Sequence, residues 1–234
     1  MTMLEKYIQQ FTTEKLDKLL AYLQPMITPQ RFSRFKEVLN RRTKDLVVVL
    51  EDIYQGHNAS AIIRTCDGYG IQYVYAIENR NLFKPNDEIA LGADKWVYII
   101  HFQGEKAIEQ AYHKLRKEGK KIIATAFTSD AINLREIEIA SPVALVFGTE
   151  KEGLTQEAIE LADMRCVIPM EGFTTSFNVS VSAAISLEIV TQKMEKAGFK
   201  RGLPEEEKKR LLVEWILKTI SNPEEILEAF LQKT

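Results

Sequence analysis

Cysteine is scarce in this 234-residue sequence, which has only Cys66 and Cys166. Two thiols cannot staple a chain of this length as a secreted disulfide scaffold, nor supply a four-thiolate zinc site, so a reducing, cytoplasmic setting is expected. Histidine is nearly as rare, and His57, His101 and His113 are too scattered to form a His-x-x-x-His pair. No metal is expected. Long apolar runs are missing too: nothing approaches the roughly 18 consecutive apolar residues of a membrane span, and the opening MTMLEKYIQQ has no apolar signal core. No membrane association is expected. Nor is there an excess of either charge, since 31 basic residues face 33 acidic ones for a formal charge of −2. Any polyanionic partner must be met by local charge. The common nucleotide fingerprints are absent as well. Gly68-Tyr69-Gly70 lacks a third glycine and precedes a β-like run, whereas a dinucleotide loop follows a strand and opens a helix. GTEKEGLT lacks the Gly-Lys-Ser/Thr of a P-loop.

What is present is globular: 45% hydrophobic and 27% charged residues over a length that allows one large domain or one medium domain with appended helices. Residues 4 to 23 place Leu4, Tyr7, Ile8, Phe11, Leu16, Leu19, Leu20 and Leu23 at helical spacing, closed by Pro25 and Pro29. A basic helix follows between Arg31 and Lys44, where six basic residues oppose one acidic residue with Phe32 and Phe35 interleaved. From residue 46, short β-branched runs alternate with helical ones, the pattern of a parallel sheet with crossover helices. Strands are predicted at 46–51, 71–78, 95–102, 121–127, 143–148 and 165–170. Helices are predicted at 58–68, 105–118, 155–162 with Thr155 as cap, and 178–197, then near Pro204 and Pro223. The division is therefore 1–44, a basic helical extension; 45–198, the α/β domain; and 199–234, a second helical extension. The first half of the 178–197 helix is apolar nearly all round, so it needs burial on more than one face, and a homodimer is expected.

Three segments sit at strand ends or helix starts, where open α/β sheets place their ligands. In HNASAIIRTCDGYG (57–70), Asn58 is a candidate cap and Arg64 follows about a turn and a half later; a capped helix with a surface arginine is the plain alternative. In FGTEKEGL (147–154), glycines flank Glu150 beyond a buried strand, which also suits a surface loop. In IPMEGFTTSFNVSVSAA (168–184), Ser176 and Asn178 open the apolar helix, where such residues are usually caps.

Together and in this order, these segments resemble the signature motifs of the SpoU (TrmH-type) RNA 2′-O-ribose methyltransferases, over about residues 31–220. LEDIYQGHNASAIIRTCDGYG, GADKWVYI and KAGFKRGLPEEEKKRLLVEWI are most similar to the tRNA (guanosine-18-2′-O) branch. The resemblance implies a parallel sheet with flanking helices whose C-terminal part, about 143–190, is threaded into a deep trefoil knot, in a dimer with its site near the subunit interface. It implies S-adenosylmethionine as donor, held by Thr125 or its neighbours, Gly148, Ile168, Met170 and Phe177. Position 177 is Phe where the family usually has Leu.

Transfer to a ribose hydroxyl needs that hydroxyl activated. The resemblance assigns the task to Arg64, either as base or, since a free guanidinium is normally charged, as a phosphate ligand that stabilises developing alkoxide. Asn58 would orient Arg64 or the ribose, Glu150 would pair with Arg64 or Asn58, and Ser176 and Asn178 would fix the donor and the ribose edge. RNA phosphates are expected at Arg31, Arg34, Arg41 and Arg42, where interleaved aromatics and a six-to-one charge bias favour polyanion contact, and at Lys200 and Arg201, in a second basic run diluted by Glu205 to Glu207 that reads equally well as a solvated helix face. The leading expectation is methylation of tRNA guanosine 18. Ribosomal RNA as substrate is the alternative, and a catalytically silent RNA-binding module is a third reading.

Overall fold

All six β-branched runs fold as strands in the computed structural model, which describes residues 7–83 and 87–233. The described elements are α1 (Thr13–Leu23), α2 (Pro29–Arg41), β1 (Leu46–Glu51), α3 (Gly56–Gly68), β2 (Tyr73–Glu78), a one-turn α4 (Asp87–Ala90), β3 (Tyr98–Gln103), α5 (Ala107–Lys117), β4 (Lys121–Thr125), β5 (Ile132–Asn133), β6 (Val143–Phe147), α6 (Gln156–Leu161), β7 (Met164–Val167), α7 (Val179–Lys196), α8 (Glu205–Leu217) and α9 (Pro223–Leu231). Two compact units result. One is Thr43–Lys200; the other combines the residues up to Arg42 with those from Arg201 onward. The two terminal extensions, expected as separate appendages, thus form a single helical unit.

The larger unit is a seven-stranded sheet in the order β3-β2-β1-β6-β4-β7-β5, with every pairing parallel. Alternate residues of each central strand enter different cores, because successive side chains point to opposite faces. Leu46, Val48 and Leu50 pack with Ile62 and Ile63 of α3 and Leu187 and Val190 of α7. Val47 and Val49 face the other way, toward Ala111, Tyr112 and Leu115 of α5. Burial on both faces explains why LVVVLE reads as a continuous apolar run rather than an alternating one. Strand β5 escaped the sequence reading because two residues carry no period. The sequence reading began β3 at 95, but Ala93–Lys95 forms a 3₁₀ turn that delivers the chain to Tyr98.

Helix α7 buries Val179, Ala183, Leu187, Val190 and Met194, while Val181 is 44% exposed and Ile185 and Ile189 are half-buried. Its apolar circumference is therefore only partly covered within the chain.

In the helical unit, the expected single helix over residues 4–23 is interrupted. Leu4 lies outside the described residues. Phe11 and Thr12 are not helical, and the Thr12 hydroxyl accepts from the Lys15 amide at 3.3 Å to start α1 afresh. Helix α8 is buried almost all round from Leu211 to Leu217. Trp215 meets Phe35 of α2 edge-on at 5.8 Å, and the Arg210 guanidinium donates to the carbonyls of Ile8 at 2.6 Å and Phe11 at 3.4 Å. Among the described residues, no helix is long and apolar enough to cross a membrane.

Candidate functional site

Beyond the C-terminal ends of β4, β6 and β7 lies a cavity of about 340 Å³. Its wall begins where β6 ends at Phe147 and Gly148 turns the chain back. A Cβ on Gly148 would stand 2.2 Å from the carbonyl atoms of Gly153 and 2.3 Å from the Leu154 nitrogen, so only glycine permits this backbone approach. The loop then closes on itself. The Thr149 amide donates to Gly153 O at 2.9 Å, and the Gly153 amide returns a bond to Thr149 O at 3.1 Å.

Glu150 rides on that loop and its Oε1 accepts from Asn58 Nδ2 at 2.5 Å. Asn58 Oδ1 accepts from Asn178 Nδ2 at 3.1 Å, and Asn178 Oδ1 accepts from the Ser180 amide at 2.9 Å and hydroxyl at 2.6 Å. The direction of this line is chemically fixed. A carboxylate only accepts, so Asn58 must offer its NH₂ to Glu150 and its carbonyl to Asn178, whose own carbonyl is left for Ser180. The three sequence segments, 92 and 120 residues apart at their hydrogen bonds, are thereby joined.

Asn58 is not the helix cap the sequence suggested. Helix α3 starts at Gly56, with Gln55 as cap residue, so Asn58 lies in the first turn, 7% exposed, and its Nδ2 also meets Gln55 Oε1 at 3.2 Å. Asn178 does cap α7, and its side-chain nitrogen is spent on Asn58 at the same time. Arg64 stands apart. Six residues beyond Asn58, it is about 9 Å further along α3 and about 120° around it. Its side chain is exposed and makes no hydrogen bond or ion pair among the described residues. Of the two partners expected for Glu150, the structure selects Asn58. A double-mutant cycle in denaturant unfolding is expected to give about 1 kcal/mol of coupling between Asn58→Ala and Glu150→Ala. Arg64→Ala and Glu150→Ala should add without coupling.

Thr125, Gly148, Ser176, Ile168 and Phe177 all line the cavity; Met170 is half-buried and does not. The Thr125 hydroxyl donates to Val146 O at 2.8 Å, joining β4 to β6, so its contribution to the wall is methyl and backbone. Phe177 is 40% exposed at the cavity, which leaves its larger ring room that a buried position would not. Cys166 also lines the wall, but burial pushes its thiol up to about 12, well away from nucleophilic use.

Among the expected RNA contacts, Arg42 is a correction. It is 1% exposed, its guanidinium 5.4 Å from the Trp215 ring centroid, because the chain leaves helical geometry there and turns the side chain inward. Arg34 and Arg41 share Glu37 at 2.8 and 2.6 Å. Arg31 and Lys200 are exposed, as is Arg201. Lys208, Lys209 and Arg210 are each paired with an acid: Glu205, Asp17 and Glu206. Among the described residues there is no group of three or more His, Cys, Asp or Glu side chains placed to hold a metal ion.

Sequence reasoning missed Glu51, Asp52 and Ser180. Ser180 carried a signal in the Asn-x-Ser spacing of an Asx turn. Glu51 carried one too, as an acid at the C-terminal end of a buried strand. It is 1% exposed, and burial raises its carboxyl above the ordinary range against the opposing pull of two bonds from Thr155.

A profile of the SpoU rRNA methylase family matches residues 45–188. The tRNA (guanosine(18)-2′-O)-methyltransferase of Borreliella burgdorferi is 36% identical over 205 residues, 88% of this chain and 93% of that protein. Its namesake from Thermus thermophilus is 38% identical over 194 residues, 82% of this chain and 98% of that one. A crystal structure of the A. aeolicus TrmH/SpoU tRNA-modifying enzyme superposes with a TM-score of 0.74 at 36% identity, covering 82% of this chain and 98% of the other. The parallel sheet, the loop cavity and these likenesses converge, and the chain belongs to the SpoU methylase family.

Proposed function

We propose that this protein transfers a methyl group from S-adenosylmethionine to the 2′-hydroxyl of guanosine 18 in tRNA, in the cytoplasm and as a homodimer. The observation that carries the reading is the hydrogen-bonded line from Glu150 through Asn58 and Asn178 to Ser180 beside the β4–β6–β7 cavity. The substrate follows relatives 36% and 38% identical over most of this chain, whose names specify that nucleoside.

The cavity fits the donor. Its volume of about 340 Å³ falls within the roughly 300–1,000 Å³ typical of small-molecule sites. Its wall combines the apolar Phe147, Leu154 and Ile168 with the polar Thr149, Glu150 and Ser176, as an adenine, a ribose and an amino-acid end require. When bound, the donor supplies an electrophilic methyl group on a sulfonium.

The remaining work falls to the chain's own residues. Gly148 and the self-closed loop 149–153 hold one wall rigid, and Ile168 and Phe177 pack against the base and exclude water. Asn58, its two amide protons taken by Glu150 and Gln55, positions Asn178, and the exposed Asn178 keeps one amide proton for the ribose edge. Arg64 meets the phosphate beside the target ribose with its guanidinium fork and stabilises the alkoxide that develops as the hydroxyl proton passes to solvent water. We further propose that residues 143–190 are threaded as a trefoil knot; β6, inserted between β1 and β4 although it follows both in sequence, supports this. The uncovered flank of α7 at Val181, Ile185 and Ile189 supports the dimer, and light scattering after size exclusion should give twice the 26.8 kDa chain mass.

RNA is held by Arg31, Arg34, Arg41, Lys200 and Arg201. Affinity for tRNA is expected to fall steeply with salt, and Arg31→Ala should flatten the slope of log affinity against log salt by about 0.7–0.9. Lys209→Ala, which removes a lysine already neutralised by Asp17, should leave it unchanged.

The test of the whole reading is direct. Incubate the protein with unmodified total tRNA, ribosomal RNA and labelled donor, digest, and locate the methylated nucleoside by mass spectrometry. 2′-O-methylguanosine at position 18 of tRNA is the expected product. Label confined to ribosomal RNA would move the substrate, and no label in either would end the assignment.

A further inference from the structure

Two consecutive acids close β1, and both reach the loop that walls the cavity. Glu51 Oε1 accepts from the Thr155 hydroxyl at 2.6 Å and Oε2 from the Thr155 amide at 3.0 Å. Asp52 adopts a left-handed φ of +52° and is 1% exposed. Its Oδ1 accepts three successive amides, those of Asn79 and Arg80 at 2.8 Å and Asn81 at 3.1 Å, and its Oδ2 accepts from Arg80 Nε at 3.4 Å. Arg80 then donates from Nη1 to Glu152 Oε2 at 2.7 Å. The loop is therefore fixed to the end of β1 on both sides of Gly153, at Thr155 directly and at Glu152 through Arg80.

A buried non-glycine residue at positive φ is a conformation the chain adopts only when its surroundings demand it. Here the surroundings are the 79–81 turn, whose three amides are gathered by Asp52 Oδ1, while β1 itself is paired to β6 through Leu50 and to β2 through Glu51. The same turn also places Arg80 between Asp52 and Glu152, so that Glu51 holds loop 149–155 directly and Asp52 holds it through Arg80. That loop carries Glu150 and forms the Gly148–Leu154 wall.

We infer that Glu51 and Asp52 are positioning residues for the donor cavity, holding loop 149–155 in its binding-competent shape through Thr155 and through the Arg80–Glu152 pair. The inference rests on the donor-binding reading above. It goes beyond it by placing the control of donor affinity in residues that do not themselves line the cavity. The Thr155 tether is the stronger of the two, being largely shielded from water, whereas Arg80 and Glu152 are half-exposed and exposed and so screened.

The test measures S-adenosylmethionine binding by calorimetry, the donor KM, kcat at saturating donor, and the melting temperature of each variant. Glu51→Gln and Thr155→Val are expected to raise donor Kd and KM about tenfold, with kcat within about twofold of the parent. Thr155→Ser keeps both bonds to Glu51 and should bind donor as the parent does. Arg80→Ala, on the surface and tolerated by the fold, should raise donor Kd about threefold. A lowered melting temperature with unchanged donor Kd and KM in Glu51→Gln, Thr155→Val and Arg80→Ala would overturn the inference and leave only a structural role. A parent protein that binds no donor would instead overturn the functional reading itself, so the two failures are distinguishable.

Discussion

Arg64→Lys is expected to lower kcat by about 100-fold or more while leaving donor affinity and melting temperature where they are. The expectation follows from where the side chain stands. Arg64 is on the exposed face of α3, and no hydrogen bond or ion pair from it occurs among the described residues, so its loss costs the fold nothing that packing would register. Arginine and lysine also have similar helix propensity. What lysine lacks is the planar fork that grips a phosphate with two parallel bonds. If Arg64 instead acted as a base, the lysine variant should recover rate as pH climbs toward the ordinary lysine value of about 10.4. A flat profile would leave only the phosphate-binding, alkoxide-stabilising role. Near-parental kcat in Arg64→Lys would remove Arg64 from the reaction altogether.

Gly148→Ala should abolish donor binding and lower stability by about 3 kcal/mol or more. The added methyl would lie 2.2 Å from the backbone of Gly153, and backbone on both sides of the contact cannot swing away as a flexible side chain would. Relief requires the loop to open, which would break the Thr149–Gly153 bonds and carry Glu150 off Asn58. Gly153→Ala is the informative control. Its Cβ would meet nothing within 4 Å, and only the φ of +72° opposes it, so a cost of about 1 kcal/mol and retained, weaker donor binding are expected. Calorimetry with the donor and thermal unfolding of both variants check the pair; equal behaviour would show that the Gly148 approach is not what shapes the cavity.

Local pattern carried much of the architecture. Every central strand was legible because residues such as Val47, Val48 and Val49 are buried on both faces of a parallel sheet, which leaves no polar alternation to confuse the reading. Cap chemistry located the starts of α6 at Thr155 and α7 at Asn178, where side-chain oxygens accept first-turn amides. It misled at Asn58, whose amide is used for a distant carboxylate instead. It was also silent at Phe11 and Thr12, where an apolar period runs on across a break that only the hydroxyl cap marks.

Charge was read less well than hydrophobicity. Arg42 belongs to a basic run by sequence, yet it stacks over Trp215 inside the helical unit, and Lys208 to Arg210 are neutralised by acids near and far in the chain. Whether a charged side chain is solvated, paired or buried depends on what packs against it, and that is not written in its neighbours. The same holds for Glu51 and Asp52, which end a strand unremarkably in sequence and hold a functional loop in space.

The order of residues determined the element types, the strand-end positions of the motifs and the family likeness, since each depends on local spacing and chemistry. Only tertiary structure decided that Glu150 pairs with Asn58 rather than Arg64, that the terminal extensions form one unit, and that Met170 stands outside the cavity wall. Those choices turn on contacts between residues up to about 200 positions apart, and a hydrogen bond at that separation is fixed by how the sheet is threaded and twisted, which no local period records.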